Sequence, residues 1–295
     1  MTVDCSPLKL LVALLLLGCS GQAPRFTDEV MLSYTPVKQQ GESQLCWVYA
    51  MLAAIETEHI ERGDSVNLSA AFIAHHLQKD SKAPASGRGM AATLVRLIDR
   101  YGVVPFAAMP DGRTPAPRWA FMLGAKYTPQ EFARSVCAPG EYVALASCGD
   151  SSYYKLMELP LADNWTGEQF VNVPRDSLAA ITERAVRQRH GVCWEGDTGD
   201  PGFDWERGVA RLSALSIVNR VTDDHCMAVV GLARDEEGML YFVMKNSWGT
   251  DNDHKGVLYM SADYFARNTV SIVLPKAVVA NTTLTDEGQK SGGTY

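Results

Sequence analysis

The stretch QQGESQLCWVY occupies residues 39–49, and its cysteine, Cys46, stands where a loop containing Gly and Ser meets a long apolar helical pattern. Far downstream, His225 lies in the run DHCM at residues 224–227, and Asn246 lies in the run KNSWG at residues 245–249. A cysteine that opens a helix, followed later by a histidine and an asparagine, is the sequence form of a thiol nucleophile, its base and the residue that orients the base.

These residue types suit nucleophilic catalysis by a thiolate. The amino terminus of a helix favours an anion, and the imidazolium of His225 would add a charge partner, so both features lower the pKa of the Cys46 thiol. The amide of Asn246 can hold the second ring nitrogen of His225, and Trp248 can shield that hydrogen bond from water. The backbone N–H of Cys46 and the side-chain amide of Gln40 are the candidate donors to an oxyanion.

Composition narrows the class of protein. The chain has 295 residues, 46% of them apolar, which is enough for one large domain or two packed lobes. The net charge is −7 and no run of Lys and Arg stands out, so nucleic-acid binding has no support. No CxxC motif and no Cys/His cluster with zinc spacing occurs, so we expect neither a metal nor another cofactor.

The first residues indicate export. Leu8 to Leu17 are apolar apart from Lys9, but about ten such residues are too few to span a bilayer and match the core of a secretory signal. The signal ends Leu-Leu-Gly-Cys at Cys19, which resembles the lipobox of bacterial lipoproteins. We therefore predict a signal peptide over 1–18, a lipid on Cys19, a tether over 19–33 and a place in the bacterial cell envelope, at the outer membrane. The alternative is ordinary secretion.

Periodicity predicts an α+β protein. Apolar residues recur at helical spacing after Cys46 up to Gly63, and again over 70–77, 90–101 and 176–190. Residues 118–135 have room for a short helix, and 137–150 look irregular. Short runs typical of strands follow at 191–194, 226–232, 240–244, 257–260 and 270–274. A helical first half is thus followed by an antiparallel β half.

The chain resembles the papain-type cysteine peptidases. Gln40, Gly41, Ser43, Cys46 and Trp47, with Asp224-His225 and Asn246-Ser247-Trp248-Gly249, carry the resemblance. His225-Cys226-Met227, YGVVP at 101–105, NVP at 172–174 and GVLYMS at 256–261 point to the branch of bleomycin hydrolase and aminopeptidase C. The resemblance implies a helical left lobe, an antiparallel β-barrel-like right lobe and an active-site cleft between them. It also implies that Cys46 is the nucleophile, His225 the base and acid, Asn246 the orienting residue and Gln40 the oxyanion donor.

The departures from the papain signature are local. Ser43 stands where the signature has its first Cys, so the usual disulfide of that Cys is impossible. Gln44 and Leu45 replace small residues beside the nucleophile. His225 lies 179 residues after Cys46, more than the ~130–150 of papain-like enzymes. We therefore predict a peptidase domain over 34–276, with a left lobe at about 37–115, an insertion at about 106–170 and a right lobe at about 170–276.

Four residues are candidates for substrate binding: Gly87, Gly89, Cys226 and Trp248. The two glycines would let an extended peptide backbone come close, unless their loop is merely flexible. Cys226 follows the histidine on a strand and would line a pocket. Glu195 and Asp197 either bind a substrate amine or cap a loop. A disulfide between Cys193 and Cys226 is the alternative to two small apolar wall residues.

The leading hypothesis is a cysteine peptidase that acts on peptides or proteins through a thioester. The resemblance to bleomycin hydrolase implies an aminopeptidase in which the polar tail, residues 277–295, restricts cutting to free amino termini. One alternative is an acyl transferase that uses the same thiol, and another is a silent binding lobe on a membrane anchor. The sequence leaves open the side-chain preference, the cut position and the oligomeric state.

Overall fold

A computed structural model describes residues 24–112, 115–149, 152–213, 216 and 222–280. The signal peptide, Cys19 and the tail beyond Ala280 fall outside these residues, so the predictions made for them stay predictions. None of the helices within the described ranges is long and apolar enough to cross a membrane.

The helices of the described residues lie mostly in the first half of the chain. Six are α-helical: α1 Cys46–Glu61, α2 Ala70–Leu77, α3 Ala91–Tyr101, α4 Pro129–Val136, α5 Arg175–Arg187 and α6 Ala262–Asn268. Short 3-10 turns cover Phe106–Ala108 and Lys276–Val278. The side chain of Ser69 caps α2 by accepting from Phe72 N, and Thr128 and Glu131 form a capping box at the start of α4.

Helix α1 is the central helix of the molecule. Twelve of its sixteen residues are buried, and they lie on every side of the helix rather than on one face. A helix that is apolar all round has to be enclosed by other elements. Accordingly α1 packs against α2 and α3 on one side and against the sheet on the other, which fixes the position of Cys46 at its first turn.

The strands are β1 Thr27–Met31, β2 Ala120–Met122, β3 Ala125–Tyr127, β4 Tyr142–Ala146, β5 Leu156–Glu158, β6 Gln169–Asn172, β7 Val192–Gly196, β8 Phe203–Asp204, β9 Val209–Ala210, β10 His225–Arg234, β11 Leu240–Lys245, β12 Val257–Ser261 and β13 Thr269–Pro275. Their order in the large sheet is β5-β6-β4-β13-β7-β10-β11-β12-β9-β8, with β1 paired to β10. Neighbours are antiparallel except for the pairs β4–β6 and β9–β12. The expected α+β architecture is confirmed.

The buried apolar residues that the structure describes form three clusters. One lies mainly among α1, α2, α3 and α4, and another lies between the sheet and helices α5 and α6. A smaller third cluster joins β10 and β11 to Ala53 of α1. The strand β10 is almost wholly buried, so its sequence is a continuous apolar run rather than an alternation of apolar and polar residues. Its first residue, His225, pairs with Gly196 of β7 at the edge of the cleft.

The segment assigned to a tether is partly structured, which corrects that prediction for residues 27–31. Strand β1 pairs with the second half of β10, and Leu32 after it is buried. The carboxylate of Glu29 accepts hydrogen bonds from Arg187 at 2.9 Å and from Arg234 at 2.6 Å. The burial pattern of β1 is mostly exposed, so its few apolar residues gave no strand signal in the sequence.

The insertion also contains more regular structure than its sequence indicated. The stretch 137–150, read as irregular, includes β4, which pairs with β13 over Tyr142–Ala146. The stretch 118–135 contains the expected short helix, because α4 begins at Pro129, and the β2–β3 hairpin comes before it. Strand β4 pairs with β6 on one side and on the other with β13, more than a hundred positions away, and local periodicity cannot show such pairings.

Candidate active site

The loop before α1 and the loop that follows β11 are distant in sequence but lie side by side at the mouth of the cleft. The backbone N–H of Gln40 donates to the carbonyl of Ser247 at 2.8 Å, and that of Gly249 donates to Lys38 at 3.1 Å. The side chain of Gln40 accepts from Ser247 Oγ at 2.6 Å. The loop before α1 is thereby fastened to the loop that carries Asn246.

Cys46, His225 and Asn246 meet at this junction. Cys46 is the first residue of α1, His225 begins β10, and Asn246 directly follows β11. The ring Nε2 of His225 lies 2.7 Å from Asn246 Oδ1, and both side chains are buried. The other ring nitrogen of His225 is the one left for the sulfur of Cys46, and His225, after Cys226, lowers the pKa of the Cys46 thiol. The structure therefore brings together the three residues that the sequence predicted for catalysis.

The surroundings of Cys46 favour its thiolate. The hydrogen bond with the Cys226 side chain, then the hydrogen bond and charge of His225, lower the pKa of Cys46 well below its usual value, although burial opposes this. Cys226 itself is buried, and burial raises the pKa of its thiol well above the usual range. The hydrogen bond and charge of His225 act on Cys46, so of these two thiols the surroundings favour the thiolate of Cys46.

Aromatic residues cover the His225–Asn246 pair. The ring of Trp248 lies 4.3 Å from the ring of His225 at an interplanar angle of 32°. Trp205 and Phe203 pack edge-on against Trp248 at centroid distances of 5.2 and 6.1 Å. Sequence reasoning found Trp248 but missed Phe203 and Trp205, which no motif marks.

Gln40, the predicted oxyanion donor, lies in the loop before α1. Its Nε2 donates to the carbonyl of Ser43 at 2.7 Å. Because a primary amide carries two N–H donors, the second remains for another acceptor. Ser43, which stands in place of a cysteine, bonds through Oγ to the carbonyl of Gln40 at 2.7 Å, so the loop is closed by hydrogen bonds instead of a disulfide.

The glycines proposed for substrate binding have structural reasons of their own. Gly87 has a φ of +76° and its carbonyl accepts from Trp47 Nε1 at 3.0 Å. A Cβ at Gly89 would lie 2.9 Å from the ring of Trp47, so only glycine fits there without a shift. Their contact with substrate stays a prediction, as does that of Cys226 and Trp248.

The structure distinguishes the alternatives that the sequence left open for Asp197, for Glu195 and for the pair Cys193 and Cys226. Asp197 caps a loop, since its carboxylate accepts from the N–H groups of Gly199 and Thr222. Glu195 instead lines the cavity that contains Cys46, and burial raises its pKa to about 8. Cys193 and Cys226 are both free thiols and form no disulfide. Within the described residues, no group of three His, Cys, Asp or Glu side chains is arranged to hold a metal ion.

Known proteins share this fold and parts of this sequence. Residues 200–290 match the family described as Peptidase C1-like. Aminopeptidase W of Lactobacillus delbrueckii subsp. lactis is 28% identical over 171 residues, 50% of this chain and 39% of the relative. Cysteine endopeptidase Rep1 of Oryza sativa subsp. japonica is 33% identical over 93 residues, 31% of this chain and 23% of the relative. The chain thus matches less than half of the length of each of these curated relatives.

The structural comparison covers more of the chain. The crystal structure of PepW from Lactobacillus rhamnosis superimposes with a TM-score of 0.66 at 16% identity, over 85% of this chain and 82% of that one. The chain therefore has a papain-like fold. With the match of residues 200–290, it is similar to the C1 peptidases, aminopeptidase W among them.

Proposed function

We propose that this chain is a cysteine peptidase in which the Cys46 thiolate attacks the carbonyl carbon of a peptide bond. The observation that carries the proposal is the junction of Cys46, His225 and Asn246, in which Asn246 holds His225 at 2.7 Å and the pKa of the neighbouring Cys46 thiol is lowered. The likeness to aminopeptidase W and to cysteine endopeptidase Rep1 supports peptide hydrolysis.

Cys46, His225 and Gln40 have different roles in the reaction. His225 takes the thiol proton, and the Cys46 sulfur forms a bond to the substrate carbonyl carbon. The negative charge on the substrate oxygen is met by the Cys46 backbone N–H and the second N–H of Gln40. His225 then protonates the leaving amine, the C–N bond breaks and a thioester remains. Water, with His225 as base, hydrolyses the thioester and frees Cys46.

Asn246 orients His225 throughout. Its Oδ1 accepts from the histidine ring without placing a second anion beside the thiolate, so the ring stays directed at Cys46 when it carries the proton. The rings of Trp248 and Trp205 exclude water from this bond and thereby strengthen it.

Labelling with a thiol-directed epoxide, read by mass spectrometry, tests the proposal. We expect the epoxide to modify Cys46 and to leave Cys148, a half-buried cysteine of the insertion, unmodified. His225→Ala should abolish the labelling of Cys46 and the cleavage of a mixed peptide library, whereas His254→Ala, a matched change outside the site, should alter neither. Equal labelling of Cys46 and Cys148 in the unmodified protein would argue for a silent binding lobe.

A further inference from the structure

The β2–β3 hairpin is a two-stranded sheet that is separate from the large sheet. Ala120 pairs with Tyr127 and Met122 with Ala125, so these four side chains share one face, here called the inner face. Ala120 is buried, and Met122 and Tyr127 pack against the core of the helical lobe. The inner face therefore fixes the hairpin to the folded domain.

The outer face of the hairpin consists of Trp119, Phe121, Leu123 and Lys126. Side chains alternate along a strand, so the paired residues Phe121 and Lys126 point away from the inner face. Lys126 Nζ lies 3.8 Å from the centroid of the Trp119 ring, which places Trp119 on the same side. Trp119, Phe121 and Leu123 are 45%, 71% and 95% exposed. When one face of an antiparallel pair covers a core, the other normally carries polar residues, but here it carries large apolar ones.

Leu123 occupies a turn position that suits other residues better. Leu123 and Gly124 form the two-residue turn of the hairpin, with φ angles of +50° and +78°. Such a turn favours Asn-Gly, because a bulky apolar residue is strained at positive φ. The Leu123 side chain is almost fully exposed, so no burial within the described protein offsets this strain. An apolar environment that covered the turn would bury the side chain.

The hairpin is positively charged on an acidic protein. Residues 115–130 contain Arg118 and Lys126, both exposed, and no Asp or Glu, whereas the whole chain has a net charge of −7. Tryptophan and exposed apolar side chains beside Lys and Arg are typical of the boundary between lipid headgroups and acyl chains. Anionic headgroups also attract the cations. The chemistry of the outer face therefore fits an anionic lipid surface.

The chain ahead of β1 supports a lipid partner. The sequence predicts a lipid on Cys19, eight residues before β1 begins at Thr27. Eight residues span at most ~28 Å even when they are fully extended. A lipid on Cys19 would hold the folded domain within this distance of a bilayer, so one surface of the domain would meet the headgroups.

We propose that the β2–β3 hairpin is a membrane-docking site whose outer face enters the surface of an anionic bilayer. Trp119, Phe121 and Leu123 reach the boundary of the acyl chains, and Arg118 and Lys126 pair with lipid phosphates. Because the inner face is fixed to the helical lobe, insertion of the hairpin also sets how that lobe lies on the membrane. The inference is independent of the proposed peptidase function, because it involves no residue of the Cys46 site.

Quenching of tryptophan fluorescence by lipid tests the proposal. The full chain is mixed with vesicles of phosphatidylcholine and phosphatidylglycerol, in which some acyl chains carry a doxyl quencher close to the headgroup. We expect the fluorescence of the unmodified protein to fall. Trp119→Phe should lose this response, because the other five tryptophans are buried or partly buried. Vesicles of phosphatidylcholine alone should quench less, since they lack anionic headgroups.

Phe121→Ser combined with Leu123→Ser removes the apolar tip of the hairpin and leaves the inner face unchanged. Each lost side chain lowers partition into the membrane by roughly a factor of ten, so the double variant should lower the ratio of inserted to withdrawn hairpins at least about tenfold. Leu156→Ser is the matched control, a change at a side chain of β5 that is 68% exposed, and it should leave the quenching unchanged.

The inference is wrong if the quencher does not affect the unmodified protein, or if it affects Trp119→Phe as strongly. Equal loss of quenching in the double variant and in Leu156→Ser would also contradict it. Crosslinks between the Lys126 side chains of two copies on the vesicle, in place of quenching, would assign the outer face to a second copy of the chain. None of these measurements involves peptide cleavage, so they are unaffected if the proposed peptidase function fails.

Discussion

At the scale of single residues, the reactivity of Cys46 depends on its neighbours more than on its own position. The side chain of Cys226 gives the largest contribution that lowers the pKa of Cys46, followed by His225. Cys226 comes directly after His225 on β10, so one strand supplies both groups that stabilise the thiolate. In the sequence this second cysteine looked like a wall residue of a pocket.

Replacing Cys226 with alanine should raise the pKa of Cys46. The variant loses the hydrogen bond that stabilises the thiolate, so the proton is released only at higher pH. The rate of alkylation by iodoacetamide, measured against pH, should therefore rise at higher pH than in the unmodified protein. Cys137→Ala, a change at a distant buried cysteine, serves as the control. An unshifted profile for Cys226→Ala would show that His225 alone stabilises the thiolate.

At the scale of elements, helix α1 carries a buried carboxylate at its centre. Glu56 accepts from Lys38 Nζ at 2.8 Å and from Leu68 N at 2.6 Å, and Thr35 bonds it as well. Lys245, whose pKa burial lowers to about 8, lies 4.0 Å from it. Because Lys245 precedes Asn246, this network joins α1 to the strand that carries the orienting residue.

Glu56→Ala should lower the free energy of unfolding by about 3–5 kcal/mol, because it leaves Lys38 and Lys245 without a counter-charge in the interior. Urea unfolding followed by circular dichroism measures the change. Glu183→Ala, which removes one exposed pair with Arg187 on α5, should change the free energy by no more than about 0.5 kcal/mol. Similar losses for the two variants would contradict a structural role for the buried network.

At the scale of the whole molecule, the first described strand belongs to the folded domain. Phe26 stacks on Tyr259 of β12 at a centroid distance of 4.0 Å, and Leu32 is 1% exposed. Glu29 joins Arg187 of α5 to Arg234 of β10. A segment expected to be a tether thus contacts three elements of the sheet lobe.

Deleting residues 25–33 should therefore destabilise the protein by at least ~3 kcal/mol, the cost of losing a fully buried leucine and an aromatic contact. Thermal unfolding would show a lower midpoint than in a variant that keeps these residues and carries Glu29→Ala alone. If the deletion left the midpoint unchanged, the segment would be a tether after all.

Prediction from the sequence succeeded where function required particular residue types. The motifs around Cys46, His225 and Asn246 named the three residues that the structure brings together, and the apolar pattern after Cys46 located α1. Prediction failed for β1 and β4. Their partner strands β10 and β13 lie far along the chain, and their own apolar and polar residues alternate only weakly.

The sequence by itself determined the candidates for nucleophile, base and orienting residue, because the chemistry of a thiolate allows few residue types in those positions. Only the tertiary structure decided what surrounds them. Arg88 lies 75 residues from Asp163 and 135 from Asp223, yet the three meet beside Cys46. Contacts of that separation follow from how α1, the insertion and β10 pack, and no local pattern of residues records them.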